Sequence, residues 1–364
     1  AMEMRTIAGA YLFMPTGKDR VPDADANLWK LRMRLGGRWK TTGHSFYHYP
    51  KKYLVEHPDW FAKTSADGAQ VTAGEPSQMC YSNEGFIQQA AADAIRYFDG
   101  KGHEPGAAAG DETFGLVPMD NSTWCKCPAC QAQLNPAQKD NPQFNNGYAS
   151  DYIYEFTNRV AKEVGKVHPD MWIGQLAYST YAYHPEKVKL EPNISVQMCL
   201  HTRNWWCPSM EANDRKLLAD WRRLEPERPL YLWLYYCFPA LNARSGNFHY
   251  FPGFFAHQVV TQMRLYHEAG IKGIFLENSS ECDATYLMDQ LEYYVTFKLA
   301  DDPALDGDQL IDEFFVQYYG AAGEPMRALY CGIEDLFSNP EHYPPEIRTS
   351  AAHQHQTEEL AWKW

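Results

Sequence analysis

Short apolar runs alternate along the chain with longer stretches of helical period. The clearest run, TFGLVPM from position 113, stops at Asp120 and Asn121 and opens into the cysteine-bearing stretch STWCKCPAC. A run bounded in this way, after the break GHEPGAAAGDE, predicts a buried parallel strand whose C-terminal end carries a functional loop. Further runs predict strands over 6–14, 38–46, 78–82, 194–200, 230–236 and 272–277, with another ending near Tyr178. Between them lie stretches with helix signals. These are DADANLWKLRMRLGG with its Gly36-Gly37 stop, EGFIQQAAADAIRYF behind the cap Asn83, the run 148–167, DRKLLADWRRL, and HQVVTQMRLYHEAG closing at Gly270. Eight strands alternating with helices predict an α/β fold, a (β/α)8 TIM-like barrel over 1–284. From Thr285 on, helical runs separated by Pro and Gly follow one another, so 285–364 is expected as a helical appendage packed on the barrel.

A parallel barrel gathers its chemistry at the C-terminal ends of its strands. Those ends carry His44, Asp120 with Asn121, Tyr178, His201, Trp233 with Tyr235, and Glu277 with Asn278. Asp120 and Glu277 are the candidate catalytic carboxylates, and the others are candidate sugar-binding groups. Glycoside hydrolysis uses one carboxyl to protonate the leaving oxygen and a second group to stabilise the oxocarbenium-like centre. Each residue also has a structural reading. Asp120 can cap a turn, and Glu277 can be a surface charge after a strand. Trp233 and Tyr235, two apart on a strand, share a face that points to a pocket or to core. His44 and His201 can be satisfied structural histidines, and Tyr178 can line the rim.

Composition sharpens this picture. An aromatic share of 15%, with 11 Trp and 24 Tyr, exceeds what a core alone requires; the surplus suits sugar rings, with an aromatic-rich core as the alternative. A net charge of -13 argues against nucleic acid, which needs clustered Lys and Arg. A neutral or cationic substrate is easier to accommodate, and a carbohydrate partner is compatible with that. No apolar run reaches the roughly 18 residues of a membrane span. The start lacks the order of a signal peptide, and its first residues read as a cloning remnant. Oligomeric state is not readable. Cys125, Cys127 and Cys130 supply three thiolates, and zinc would want a fourth ligand such as Cys80, Cys207 or a His. The spacing favours a loop disulfide or buried free thiols instead, so no metal ligand is assigned and no cofactor is called for. Glycosylation sequons begin at Asn121, Asn193 and Asn278, two of them at the expected barrel mouth, which suits an unmodified bacterial chain.

The ordered blocks GHSFYHYPKKYLVEHPDWFA, QMCYSNEGF, DNSTWCKCPAC, QLAYSTY, LYLWLYY and GIFLENSS resemble a bacterial barrel family catalogued as a domain of unknown function. That family includes glycoside hydrolase family 163, the endo-β-N-acetylglucosaminidases acting on N-glycans. A looser similarity is to family 20 hexosaminidases, whose fourth strand ends in an Asp-Glu pair. There the Asp orients the substrate's 2-acetamido group, which attacks the anomeric carbon, and the Glu is the acid. Asp120 matches the first position, whereas Asn121 replaces the acid. The resemblance implies a periplasmic or extracellular glycoside hydrolase, β-N-acetylglucosaminidase-like, with a substrate-assisted retaining mechanism. Asp120 would orient the acetamido group, Glu277 would supply the proton, and Tyr178, Trp233 and Tyr235 would shape the subsite. Two other readings stay open. One is a non-catalytic glycan-binding barrel that has lost activity, suggested by Asn121 and by a start without the smaller α/β domain that members usually carry ahead of the barrel. The other is a glucuronidase-like enzyme using Arg203 and Arg244.

Overall fold

A computed structural model describes residues 1–7, 23–37, 42–67, 76–237, 253–277, 289–343 and 345. Its strands are β1 (Met4–Ile7), β2 (Gly36–Gly37), β3 (Ala109–Gly110), β4 (Thr113–Gly115), β5 (Trp172–Ala177), β6 (Ile194–Leu200), β7 (Leu230–Tyr235) and β8 (Gly273–Glu277). They form an eight-stranded sheet in the order β2-β1-β8-β7-β6-β5-β4-β3. The end strands β2 and β3 are antiparallel to their neighbours β1 and β4. The sheet is therefore mixed and open, and the (β/α)8 barrel expected from the sequence does not form.

The reason lies in the expected second and third strands. Of 38–46, the described part makes only a single parallel bridge, His44 to Val117, and 78–82 makes only an antiparallel bridge, Met79 to Phe61. Side chains take the place of a ladder there. The Ser45 hydroxyl donates to the Gly43 carbonyl at 2.7 Å and receives the Val117 N–H at 3.3 Å. Gln78 donates to the carbonyls of Met119 at 2.6 Å and Asn121 at 2.9 Å, and Gln175 to that of Leu116 at 2.9 Å. Backbone groups answered by side chains are not offered to a neighbouring strand.

The chain divides into two compact units. One comprises Trp39–Met198 and Asp220–Leu230, the other Ala1–Arg38, Cys199–Ala219 and Tyr231–Trp364. In the first, β4, β5 and β6 run parallel, and β6 is buried at every position, as expected of a parallel strand covered on both faces. Two short helices, α2 (Tyr49–Tyr53) and α4 (Pro128–Gln131), flank α3 (Glu84–Arg96) and α5 (Ser150–Val167) in this unit. Helix α3 starts where Asn83 accepts the Phe86 N–H at 3.0 Å, the cap read from the sequence. Its buried Phe86 stacks on Phe156 of α5 at 5.2 Å, with Phe46, Tyr49 and Tyr81 edge-on or tilted around them. Much of the aromatic content is therefore core.

In the second unit β1 and β7 flank β8 in parallel register. Gly273 of β8 is required by close approach: a Cβ there would lie 2.6 Å from Met4 Cβ and 2.9 Å from its carbonyl. The helices of this unit are α1 (Asp23–Arg32), α7 (Ala256–Glu268), α8 (Gln290–Asp301), α9 (Gly307–Tyr319) and α10 (Gly323–Ser338), with α6 (Pro208–Leu224) beginning in it. Gly270, at φ +68, ends α7 in the left-handed conformation its sequence position foretold. Among the described residues no helix is long and apolar enough to cross a membrane.

Candidate functional site

The loop after β4 carries the clearest constellation. Its backbone is fixed on both flanks of Asp120 by the fully buried Gln78, whose amide spans the carbonyls of Met119 and Asn121. The Asp120 N–H is held by the Tyr47 hydroxyl at 2.8 Å. A rigid backbone therefore presents a carboxylate whose side chain is 53% exposed. Asp120 Oδ1 receives the Tyr178 hydroxyl at 3.0 Å and faces His44 Nε2 at 3.5 Å. The bridge to Val117 lays His44 beside this loop, where its Nδ1 bonds the Pro118 carbonyl. A carbonyl only accepts, so Nδ1 carries a proton, and Nε2 is the atom free to exchange one. The Nε2 contact with Asp120 is attractive only when a proton lies between them. Aromatic rings complete the setting: exposed Tyr47 lies edge-on to His44 at 6.2 Å, and Phe144 packs on Tyr178 at 5.5 Å.

His44, Asp120 and Tyr178 thus meet in one place. Asn121 plays another part. Its amide donates to Ser77 O at 2.7 Å, and its oxygen receives the Thr123 N–H at 3.1 Å and the Thr123 hydroxyl. This is a turn built by the side chain, not an open sugar contact.

The remaining candidates lie in the other unit. The Trp233 indole donates to Glu277 Oε2 at 2.7 Å. Burial, and next the Glu277 charge, push the adjacent Cys237 thiol up. Trp233 packs on Phe275 at 4.3 Å against the cluster of Met4, Tyr231 and Phe275. Tyr235 and His201 are buried and stack on each other at 5.1 Å, while the His201 N–H donates to Asp214 at 2.8 Å. Asn278 and Arg244 lie outside the described residues. Arg203 is fully buried and ion-paired with Asp289, so its charge serves the interior.

Sequence reasoning missed Tyr47, Phe144 and Gln78. Tyr47 stands three residues after His44 in GHSFYHYP, a local signal that was there to read; Gln78 and Phe144 give none. The cysteines form a second constellation. Cys80 joins Cys125, Cys127 and Cys130, and the four sulfurs lie within 4.8 Å of one another. Hydrogen bonding from Cys130 and Cys80 holds the Cys125 thiol below its ordinary range, and the same contacts push Cys80 up. Two cavities of this unit lie elsewhere among the described residues. One of about 620 Å³ opens between α3 and α5, another of about 470 Å³ beside Tyr81 and Gln133, and neither includes His44, Asp120 or Tyr178.

An open, mixed α/β sheet with a carboxylate, imidazole and phenol at one loop describes the class. The chain belongs to the family described as a domain of unknown function (DUF4838), whose model matches residues 22–331. No curated protein and no solved structure matches it.

Proposed function

We propose that the chain is a glycoside hydrolase acting on N-acetylglucosamine-containing glycans, and the likeness to glycoside hydrolase family 163 belongs to this proposal. The observation that carries it is the exposed Asp120 carboxylate set among Tyr178, His44 and the open ring of Tyr47. With Oδ1 engaged by Tyr178, Oδ2 remains for a donor such as the N–H of a 2-acetamido group. Accepting that N–H aligns the acetamide oxygen with the anomeric carbon, the arrangement substrate-assisted retention needs. Tyr47 offers a face for the C–H side of a pyranose.

The leaving oxygen needs a proton, and Asn121 cannot give one. The sequence assigns that part to Glu277, which lies in the other unit; within the unit of Asp120 the group that faces its carboxylate is His44. His44 Nε2, 3.5 Å from Asp120 Oδ1, is the proton donor assigned to the leaving oxygen in this proposal.

Incubation with a complex N-glycoprotein and with an aryl N-acetylglucosaminide, followed by mass spectrometry, tests this. Wild type should release product, while Asp120→Asn and His44→Gln should each lose about 10²–10⁴-fold in turnover. Full activity in either variant would overturn the assignment. A second reading, glycan binding without turnover, is favoured by the engagement of Asn121 in its own turn. Binding that depends on Asp120 with no product would establish it.

A further inference from the structure

We propose that Cys80, Cys125, Cys127 and Cys130 bind one zinc ion as a closed, structural tetrathiolate site. The geometry carries the inference and needs no glycan. A tetrahedral zinc with Zn–S bonds of about 2.3 Å places its sulfurs about 3.8 Å apart. Here Cys80 Sγ lies 3.6 Å from Cys130 Sγ and 3.9 Å from Cys127 Sγ, and all four sulfurs fall within 4.8 Å of one another. These separations are far beyond a disulfide bond, and all four cysteines are free. They leave room for a single ion rather than a polynuclear cluster.

The surroundings are those of thiolates. The Lys63 N–H donates to Cys125 Sγ at 3.3 Å and the Tyr152 hydroxyl to Cys130 Sγ at 3.0 Å, with the Ser82 hydroxyl 3.3 Å from Cys130 Sγ. Such donors offset the negative charge that four thiolates keep around a divalent ion, and they orient the ligands. Three of the cysteines are buried, and Cys127 is half-buried. Zinc with four protein sulfurs has no open position, so the ion holds structure and performs no chemistry.

What it holds is specific. Cys80 lies two residues past Gln78, whose amide grips the carbonyls on either side of Asp120, and the other three cysteines follow Asp120 on the same loop. The ion ties the clamp to the loop it clamps.

Metal analysis of the full chain, purified reduced and without chelator, should find one zinc per chain. Replacement by cobalt(II) should give the intense visible bands and sulfur-to-cobalt charge-transfer absorption of a tetrahedral thiolate site. Cys127→Ser, at the half-buried ligand, should weaken metal binding at least about tenfold, while Cys331→Ser leaves it unchanged. Folded wild-type protein that carries no zinc and develops no thiolate–cobalt bands would overturn the proposal. So would one iron in place of zinc, or a non-reduced mass lighter by two hydrogens for each disulfide among these cysteines.

Discussion

Two charged sites, one in each unit, are handled in opposite ways. In one, the Asp120 carboxylate is more than half exposed, and its backbone is fixed by the uncharged side chains of Gln78 and Tyr47. In the other, Arg203 and Asp289 are fully buried against each other. Burial, and next the Asp289 charge, push the Glu292 carboxyl beside them up to about 8. A charge kept in water on a neutral, rigid support is available to a ligand. A charge taken out of water is tolerable only with its partner, and so serves the fold. The difference separates candidate chemistry from architecture better than residue type does, since both regions contain carboxylates at loop ends.

The strongest way to break this comparison is Asp289→Ala, which leaves Arg203 buried without its partner. A loss of about 3–5 kcal/mol is expected in urea unfolding, and a loss under about 1 kcal/mol would mean the pair is not the buried support described. Gly115→Ala tests the support of the exposed site. A Cβ on Gly115 would lie 1.9 Å from Thr42 Oγ1 and 2.9 Å from the Ala108 carbonyl. The hydroxyl can turn aside, but the carbonyl is backbone, so about 1–3 kcal/mol should be lost in thermal unfolding. Asn83→Ala removes the cap of α3 and should cost about 1 kcal/mol by the same measurement, with Asn83→Ser, which caps without setting a second charge beside Asp59, restoring part of it.

The smallest effect concerns pH. A hydrogen bond with Glu334 at 2.8 Å raises the His257 pKa above 6.5. The folded state therefore holds this proton more tightly than the unfolded chain does. The stabilisation is fully present below pH 6.5 and is lost as pH rises through the raised folded value. The His257 ring is about half exposed although Glu334 is buried, so about 0.2–1 kcal/mol separates wild type from His257→Gln at pH 5.5. That gap should close by pH 9, and a gap independent of pH would assign the effect to packing.

What the sequence made legible was local. Helix α3 and its cap, α5, β6 and the Gly270 stop each rest on signals within a few neighbouring residues, and they occur where those signals lie. The barrel failed for a non-local reason. Ser45, Gln78 and Gln175 turn their side chains onto backbone groups of the β4 strand and its extension, and no periodicity announces that substitution. The Asp120 setting was legible as separate strand ends, but its grouping with His44 and Tyr178 spans distances that only the fold closes. The pairing of Arg203 with Asp289, 86 positions apart, is of the same kind. So is the return of Cys80 to the cysteine loop, 50 positions from Cys130.

A sheet that does not close has two edges, and a free edge is a template on which another chain can add. Among the described residues each edge strand offers two residues: Gly36–Gly37 on one side and Ala109–Gly110 on the other. Gly36 and Gly37 themselves lie at φ +149 and +95, and Asp111, next after the other edge strand, at φ +44. An incoming strand would gain a couple of ladder bonds at most, too few to fix a register. The open sheet is thereby protected from growing into a larger one, and concentrated protein should resist aggregation by strand addition at these edges.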